Sequence, residues 1–344
     1  GLSLDLFYLL LLGFAILMYV LLDGFDLGMG ILYPWFNTDA EHDHLMRSIA
    51  HVWDGNETWL VFGGVILFGA FPAAYALLLS TLYLPIMLML IGLIFRGVAF
   101  EYRFKSTTSK KWWSRAFSLG STLAAFCQGL MLGALVQGVP ANSISQSSLV
   151  LLTPFTLLTG LAVVAGYALL ACAYLVMKSR GAIQHKAAQR GRALVWVVML
   201  AMAIVSLWTA LGSEQIWARW FGGWHALALL PLPLLAFMAA RLLYRDLGRV
   251  RKSHHQARDV VEKHEDRPFW LAVSLFVLAF MGLLVSLFPA LLPGQLSYIQ
   301  AVAPDASLWF MLPGVLIFVP LILAYTLWGY RIFAGKVEDY EQGY

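Results

Sequence analysis

Long apolar stretches separated by short polar segments run the whole length of the chain. A helix needs about 20 mainly apolar residues to cross a bilayer. The run from Thr58 to Phe95 is too long for one span, and Pro72 divides it because proline cannot continue the helical hydrogen-bond ladder. The pattern predicts an all-α polytopic membrane protein with nine transmembrane helices, near 5–30, 52–71, 75–98, 116–138, 150–177, 193–212, 223–243, 269–291 and 307–333.

Composition supports a membrane protein, since 60% of the residues are hydrophobic and 12% are charged. Soluble domains carry about a quarter charged residues, so a soluble enzyme, a nucleic-acid binder and a disordered tail are excluded. Residues 1–22 lack the basic leader and cleavage site of a signal peptide, and we expect them to form the first span. Cys127 and Cys172 both lie in apolar runs, which favours neither a disulfide framework nor a paired-cysteine metal site.

The basic residues predict how the chain is oriented. Of the 23 Lys and Arg residues, all but Arg219 fall in one set of alternate connections, which the positive-inside rule assigns to the cytoplasm. We therefore expect a periplasmic N-terminus and a cytoplasmic C-terminus. Pro154 opens the fifth helix, and we predict a first four-helix bundle, a second four-helix bundle, and a ninth helix with the cytoplasmic tail, over residues 1–138, 139–291 and 292–344.

Ionisable residues cluster near one end of the first three spans. Such residues are costly inside a membrane and are functional candidates by default. A row of carboxylates suits proton uptake, because buried acids can take up and release protons near neutral pH. The predicted orientation places the whole cluster toward the cytoplasm, and its members are Asp23, Asp26, Asp54, Glu57, Arg96 and Glu101.

Structural interpretations compete with a functional one at the same residues. Asp54 and Glu57, three apart before an apolar run, match a capping box at a helix start. Asp23 and Asp26 approach a helix C-terminus, where the dipole disfavours negative charge, so they need a basic partner such as Arg96, a proton, or water.

Two further patterns leave alternatives open. Glu101 borders a basic loop and is expected either to join the row of acids or to pair with Arg103. Gly129 and Gly133 form a small-xxx-small pair in the fourth span, which permits close helix packing. That packing is with a second membrane subunit or within this chain's own bundle.

Cofactor ligands are missing from the spans. A haem inside a bundle needs inward-facing His, Met or Cys ligands. All eight histidines except His51 and His225 lie in predicted loops, and these two lie at span edges at opposite ends of the membrane. The sequence therefore predicts that this chain by itself ligates no haem and no metal.

Three stretches carry a resemblance to a known family. They are Leu22-Asp23-Gly24-Phe25-Asp26-Leu27-Gly28, Trp53-Asp54-Gly55-Asn56-Glu57-Thr58-Trp59-Leu60 and Phe95-Arg96-Gly97-Val98-Ala99-Phe100-Glu101-Tyr102-Arg103. With these motifs the sequence resembles subunit II of the cytochrome bd quinol oxidases, and looks closest to the cyanide-insensitive branch. The resemblance extends along nearly all of the chain.

The resemblance implies an enzyme that oxidises quinol and reduces O2 to water in the bacterial cytoplasmic (inner) membrane. Two b-type haems and one d-type haem are ligated by subunit I, which forms a heterodimer with subunit II among the membrane lipids. Single-span accessory subunits often accompany the pair, and some members hold a structural quinone in subunit II. Family members build subunit II from two four-helix bundles and a ninth helix, and no nucleic acid is a partner.

Carried over residue by residue, the resemblance assigns a proton path to Asp23, Asp26, Asp54, Glu57 and Glu101. Other members have Asp at the last of these positions. Ion-pair or structural roles fall to Arg96, Arg103, Trp53 and Trp59. Two alternatives remain: a structural scaffold whose acids only cap and pair, and a secondary transporter, although transporter sites lie near the midplane and these acids lie off-centre.

Overall fold

The computed structural model describes residues 2–138, 151–252, 265–293 and 296–339. Two short strands, β1 (Ala290–Leu292) and β2 (Leu296–Ser297), pair antiparallel, and Tyr33–Trp35 and Val337–Asp339 form single 3-10 turns. The helices are α1 (Leu2–Leu32), α2 (Asp39–Ile49), α3 (Trp53–Ala70), α4 (Pro72–Thr81), α5 (Tyr83–Lys105), α6 (Lys110–Gln137), α7 (Pro154–Lys178), α8 (Gly181–Leu211), α9 (Glu214–Phe221), α10 (His225–Leu229), α11 (Pro231–Lys252), α12 (Arg267–Leu287), α13 (Tyr298–Ala301) and α14 (Asp305–Ile332).

Within those residues, eight helical stretches are long and apolar enough to span a membrane. The pair α3 and α4, which bends by 117° after Ala70, gives a ninth span when it is counted as one. The predicted all-α, nine-span class is thus confirmed, as is the break at Pro72.

The third span begins later than predicted, at Tyr83 instead of near residue 75. The chain breaks a second time at Leu82, which leaves α4 as a separate short helix. Pro85 explains this break, because a proline clashes with the carbonyl group four residues before it, here that of Thr81. In the first turn of α5, by contrast, Pro85 is tolerated.

Several helices run past their apolar segments. α6 begins at Lys110 instead of 116, α8 begins at Gly181 instead of 193, and α11 continues to Lys252 instead of ending near 243. Lys, Arg, Gln and Ala are strong helix formers, so the helix continues where hydropathy falls. Many basic residues predicted in loops therefore lie on helix ends, while residues 253–264 of the predicted cytoplasmic loop lie outside the described residues.

The helices pack in two groups that share one core. In the first group, α1 packs against α3 and α6, α6 packs against α5, and α14 packs against α3. In the second group, α8 packs against α7 and α11, and α11 packs against α12. α7 also packs against α1 and α6, and buried side chains such as Phe25, Phe117 and Leu247 belong to one continuous apolar cluster. The domain division stays a prediction, and its junction at 139–150 lies outside the described residues.

Glycines set the closest helix contacts. A Cβ atom at Gly28 would lie 2.1 Å from the Tyr167 carbonyl oxygen, so α1 and α7 can approach this closely only at a glycine. Gly129 and Gly133 of α6 face α7 in the same way, because their Cβ atoms would lie 2.4 Å from the carbonyl oxygen and 2.1 Å from the hydroxyl oxygen of Thr159. Their close contact in this structure is with α7 of the same chain, and a contact with a second subunit stays a prediction.

Substituting Gly133 by leucine should destabilise the chain itself, by about 1–3 kcal/mol, because overpacking forces helices apart. The measurement is the unfolding temperature in detergent. Gly314→Leu on α14 is the matched control, because a Cβ atom at Gly314 would have no neighbour within 4 Å. Equal unfolding temperatures for the two variants would contradict the prediction.

Candidate functional site

Arg96 of α5 lies at the centre of a buried charged cluster, with only 1% of its side chain exposed. Its Nη1 donates to Asp23 Oδ1 on α1 at 2.7 Å, and its Nη2 donates to Glu57 Oε1 on α3. The guanidinium also lies 5.7 Å from the ring centroid of Trp53, close enough for a cation–π contact. Arg96 therefore ties three helices together and neutralises one of two nearby carboxylates.

Asp26, one turn after Asp23, is fully buried but contacts no cation of the described residues. Its Oδ2 accepts a hydrogen bond from Asn56 Nδ2 at 2.7 Å, and its Oδ1 has no partner in the described part of the chain. Asp23 and Asp26 lie one turn apart on α1, and their carboxyl groups interact electrostatically with each other. Asn56 Oδ1 in turn accepts from the Tyr330 hydroxyl of α14 at 2.9 Å.

A second hydrogen-bonded branch leads from Asp23 toward α7. Tyr19 lies beside Asp23, and its hydroxyl accepts from Gln128 Nε2 at 3.0 Å. The Tyr167 hydroxyl donates to Gln128 Oε1 at 2.5 Å. These polar groups connect the acids of α1 to α6 and α7.

Sequence reasoning missed the neutral members of the cluster. Gln128 was detectable as an amide in the middle of an apolar run, and Asn56 lies inside one of the quoted motifs. Tyr330 could not be identified from the sequence, because it lies 274 residues from its hydrogen-bond partner Asn56.

Asp54 and Glu101 lie at the exposed edge of the cluster, on α3 and α5. Their charges interact with each other, and Asp54 also interacts with Arg96. Glu57, with 31% of its side chain exposed, lies between this edge and the buried acids. The structure thus brings the six ionisable residues into one cluster of graded burial.

Of the two alternatives for Glu101, the pairing with Arg103 is the one that the structure contradicts. Arg103 is buried and donates to Asp43 of α2 and, at 2.7 Å, to Ser114 Oγ of α6. Residues two apart on a helix point in different directions, so an exposed Glu101 cannot reach it. Arg103 instead holds α2 against α5 and α6.

The capping box predicted at Asp54 and Glu57 is also wrong. α3 has Val52 as its N-cap, with no side-chain hydrogen bond, and Asp54 is already the second residue of the helix. The Val52 carbonyl accepts from the Asn56 N–H at 2.9 Å, because the turn after α2 leads directly into α3. The chain does contain a capping box one helix earlier, formed by Thr38 and Glu41 at the start of α2.

Trp59 has a structural position beside the cluster. It is fully buried, and its Nε1 donates to Thr326 Oγ1 of α14 at 3.2 Å. Its ring meets Phe14 of α1 edge to face, with the centroids 5.8 Å apart. Trp59 therefore joins α1, α3 and α14.

The histidines near the cluster are held by groups of this chain. His42 Nε2 lies 2.9 Å from the carbonyl oxygens of both Tyr33 and Phe36, and His44 Nε2 lies 2.8 Å from Ser179 Oγ. Burial lowers the pKa of His44 on α2, which keeps the ring neutral at pH 7. These imidazoles do not fit as haem ligands, and the described residues contain no group of three or more metal-binding side chains.

Membrane-spanning helices around a buried arginine–carboxylate cluster define a polytopic membrane protein with a charged interior site. The model of the family described as cytochrome bd terminal oxidase subunit II matches residues 4–333. The chain therefore belongs to that family. As a subunit II it is part of a terminal oxidase complex and partners a subunit I.

Relatives match over nearly their full lengths. Subunit 2 of the cytochrome bd-I ubiquinol oxidase of Escherichia coli K12 is 27% identical, covering 97% of this chain and 95% of that protein. Subunit 2 of the cytochrome bd ubiquinol oxidase of Bacillus subtilis 168 is 25% identical, covering 94% of each. The bd oxidase structure from Geobacillus thermodenitrificans shares the fold, with a TM-score of 0.77 at 16% identity over 96% of this chain and 98% of that one.

Proposed function

We propose that the chain assembles with a haem-bearing subunit I of a quinol:O2 oxidase and supplies it with protons taken from the cytoplasm. Haems b and d, ligated by subunit I, provide the electron transfer and O2 reduction when bound. The proposed path uses Asp54, Glu101, Glu57, Asp23 and Asp26. The observation that carries it is their graded burial, from an exposed pair to two fully buried acids.

The entrance is assigned by charge. Nearly all basic residues fall on the side of the membrane where the cluster lies, and this side is cytoplasmic by the positive-inside rule. Asp54 and Glu101 can exchange protons with water there and pass them toward Glu57. Proton uptake from this side by an enzyme that makes water contributes to the proton motive force.

The interior holds more acid than base. Arg96 faces Asp23 and Glu57, and Asp26 adds a third carboxyl group with no cation in contact. An unpaired charge is costly to bury, so a proton bound at Asp26 lowers the cost. Protons can therefore be held there and released across the subunit interface.

A scaffold role explains part of the cluster only. The ion pairs of Arg96 account for Asp23 and Glu57 as structural residues. They do not account for Asp26, whose Oδ1 lacks a partner, or for Asp54, which is exposed and caps nothing. The family membership also favours an oxidase subunit over a secondary transporter. An accessory single-span subunit and a structural quinone stay predictions from the resemblance.

Asp54→Asn tests the path. Because Asp54 is exposed and makes no capping bond, the variant should fold and assemble with a stability change within about 0.5 kcal/mol. An amide cannot take up and release a proton near neutral pH, so O2 consumption with quinol should fall at least about tenfold.

Asp54→Glu is the control, because it retains a carboxylate at the entrance and should keep most of the activity. Haem content and co-purification with subunit I establish that both variants are assembled. A fully active Asp54→Asn complex would remove this residue from the path.

A further inference from the structure

A second charged feature lies where α8 and α11 pack against each other. There a cavity of about 380 Å³ is lined almost entirely by basic and aromatic side chains. Its lining residues are Arg192, Arg241, Tyr244, Arg245, Gly248 and Arg249.

Three of the arginines form a row on one face of α11. Arg241, Arg245 and Arg249 are spaced four residues apart, so they stack along the helix, and all three are exposed. Like charges at this spacing destabilise a helix unless an anion lies between them. The row itself therefore favours a bound anion.

Arg192 reaches the same cavity from α8. Its guanidinium lies 3.9 Å from the Tyr244 ring centroid, and its Nε donates to the Tyr244 carbonyl oxygen at 3.3 Å. Gly248 makes room for it, because a Cβ there would lie 3.0 Å from the guanidinium carbon. Two helices thus converge on one basic cavity.

The nearest acid on α11 does not neutralise this charge. Asp246 is buried and already accepts two hydrogen bonds from Arg267, at 2.6 Å from Nε and 2.5 Å from Nη2. In the part of the chain that the structure describes, no carboxylate forms a salt bridge with the four cavity arginines.

We propose that this cavity binds the phosphate of an anionic phospholipid headgroup. Guanidinium forks match phosphate oxygens, and basic pockets between helices at a membrane surface recognise such headgroups. The cavity lies where the apolar sequence of α11 gives way to the basic residues that begin at Arg241. Exposed apolar side chains continue from it along both helices and can contact acyl chains, among them Trp196, Leu200, Leu234 and Met238.

The test uses the complex of this chain with its partner subunit, purified in detergent and stripped of weakly held lipid. Phosphatidylglycerol and phosphatidylcholine are added in turn, and the bound lipid is measured by native mass spectrometry. Arg245→Gln with Arg249→Gln should weaken phosphatidylglycerol retention roughly tenfold or more. The matched control removes two exposed charges from α6, by Lys111→Gln with Arg115→Gln, and should retain the lipid.

Gly248→Leu separates a built site from general surface charge, because it fills the cavity and keeps every arginine. It should also reduce phosphatidylglycerol retention in a complex of normal haem content. If the Gly248→Leu complex does not assemble, the comparison of Arg245→Gln with Arg249→Gln against the α6 control decides. An equal loss of phosphatidylglycerol retention in the α6 control and in the Arg245→Gln with Arg249→Gln variant would overturn the proposal. Displacement of the lipid by an equal concentration of inorganic phosphate would overturn it too, since the site would then bind a free anion.

Discussion

Replacing Arg96 by methionine should leave most of the chain unassembled with its partner. The substitution removes the cation that Asp23 and Glu57 share, in a site where Arg96 and Asp23 are almost completely buried. Breaking a buried ion pair costs about 3–5 kcal/mol, a large part of the 5–15 kcal/mol that stabilises a typical domain. The measurement is the yield of chain that co-purifies with haem-bearing subunit I, together with its unfolding temperature.

Two variants control for the loss of packing. Arg96→Lys keeps the charge but not the fork that contacts both acids, and should be intermediate. A triple variant that adds Asp23→Asn and Glu57→Gln to Arg96→Met removes the two charges that Arg96 compensates and should recover assembly. An Arg96→Met complex as abundant and as stable as the unmodified one would show that the ion pairs do not support the fold.

Asp26→Asn should give a complex that assembles normally and reduces O2 about a hundredfold more slowly. The amide oxygen can still accept from Asn56, and the amide group has nearly the same size and shape as the carboxyl group that it replaces. The amide cannot, however, release and regain a proton. O2 consumption with quinol and proton uptake by the same sample are the measurements.

Asp26→Ala distinguishes proton transfer from packing. It leaves a gap and an unpaired Asn56 donor, so it should lower the unfolding temperature as well as the activity. If Asp26→Asn is fully active, and the corresponding variants at Asp23 and Asp54 are too, the scaffold role is the better account of the cluster.

The members of the acid cluster could be predicted from sequence because ionisable residues in apolar spans are rare and costly. Their partners could not. Arg96 contacts Asp23 and Glu57, whereas Glu101 stays at the exposed edge, and this choice depends on how α1, α3 and α5 are rotated about their axes. Hydropathy does not determine that rotation.

Local sequence patterns did not identify the correct capping box or the correct neighbouring helix, because tertiary contacts decide between candidates that look alike in the sequence. Two Ser/Thr/Asp-x-x-Glu patterns occur near the second span, and only Thr38 with Glu41 lies at a helix start that leaves the N-cap side chain free to bond. Gly133 predicted a close helix contact but could not identify the neighbour, which is α7. Hydropathy likewise marks the part of a helix that crosses the bilayer and misses its polar ends, as at α8 and α11.

The distribution of the cluster over the chain sets an order for its biogenesis. Arg96 is translated 73 residues after Asp23, and Tyr330 comes 274 residues after Asn56. α1 therefore enters the membrane with two acids whose counter-ion does not yet exist. A charged group at the centre of a span costs about 2.5–3.5 kcal/mol, which is an upper limit for these off-centre acids. The mean hydropathy of 2.3 in its apolar window favours insertion in spite of that cost. The ion pairs can form once α5 is inserted, and the Tyr330 hydrogen bond to Asn56 must wait for the last span.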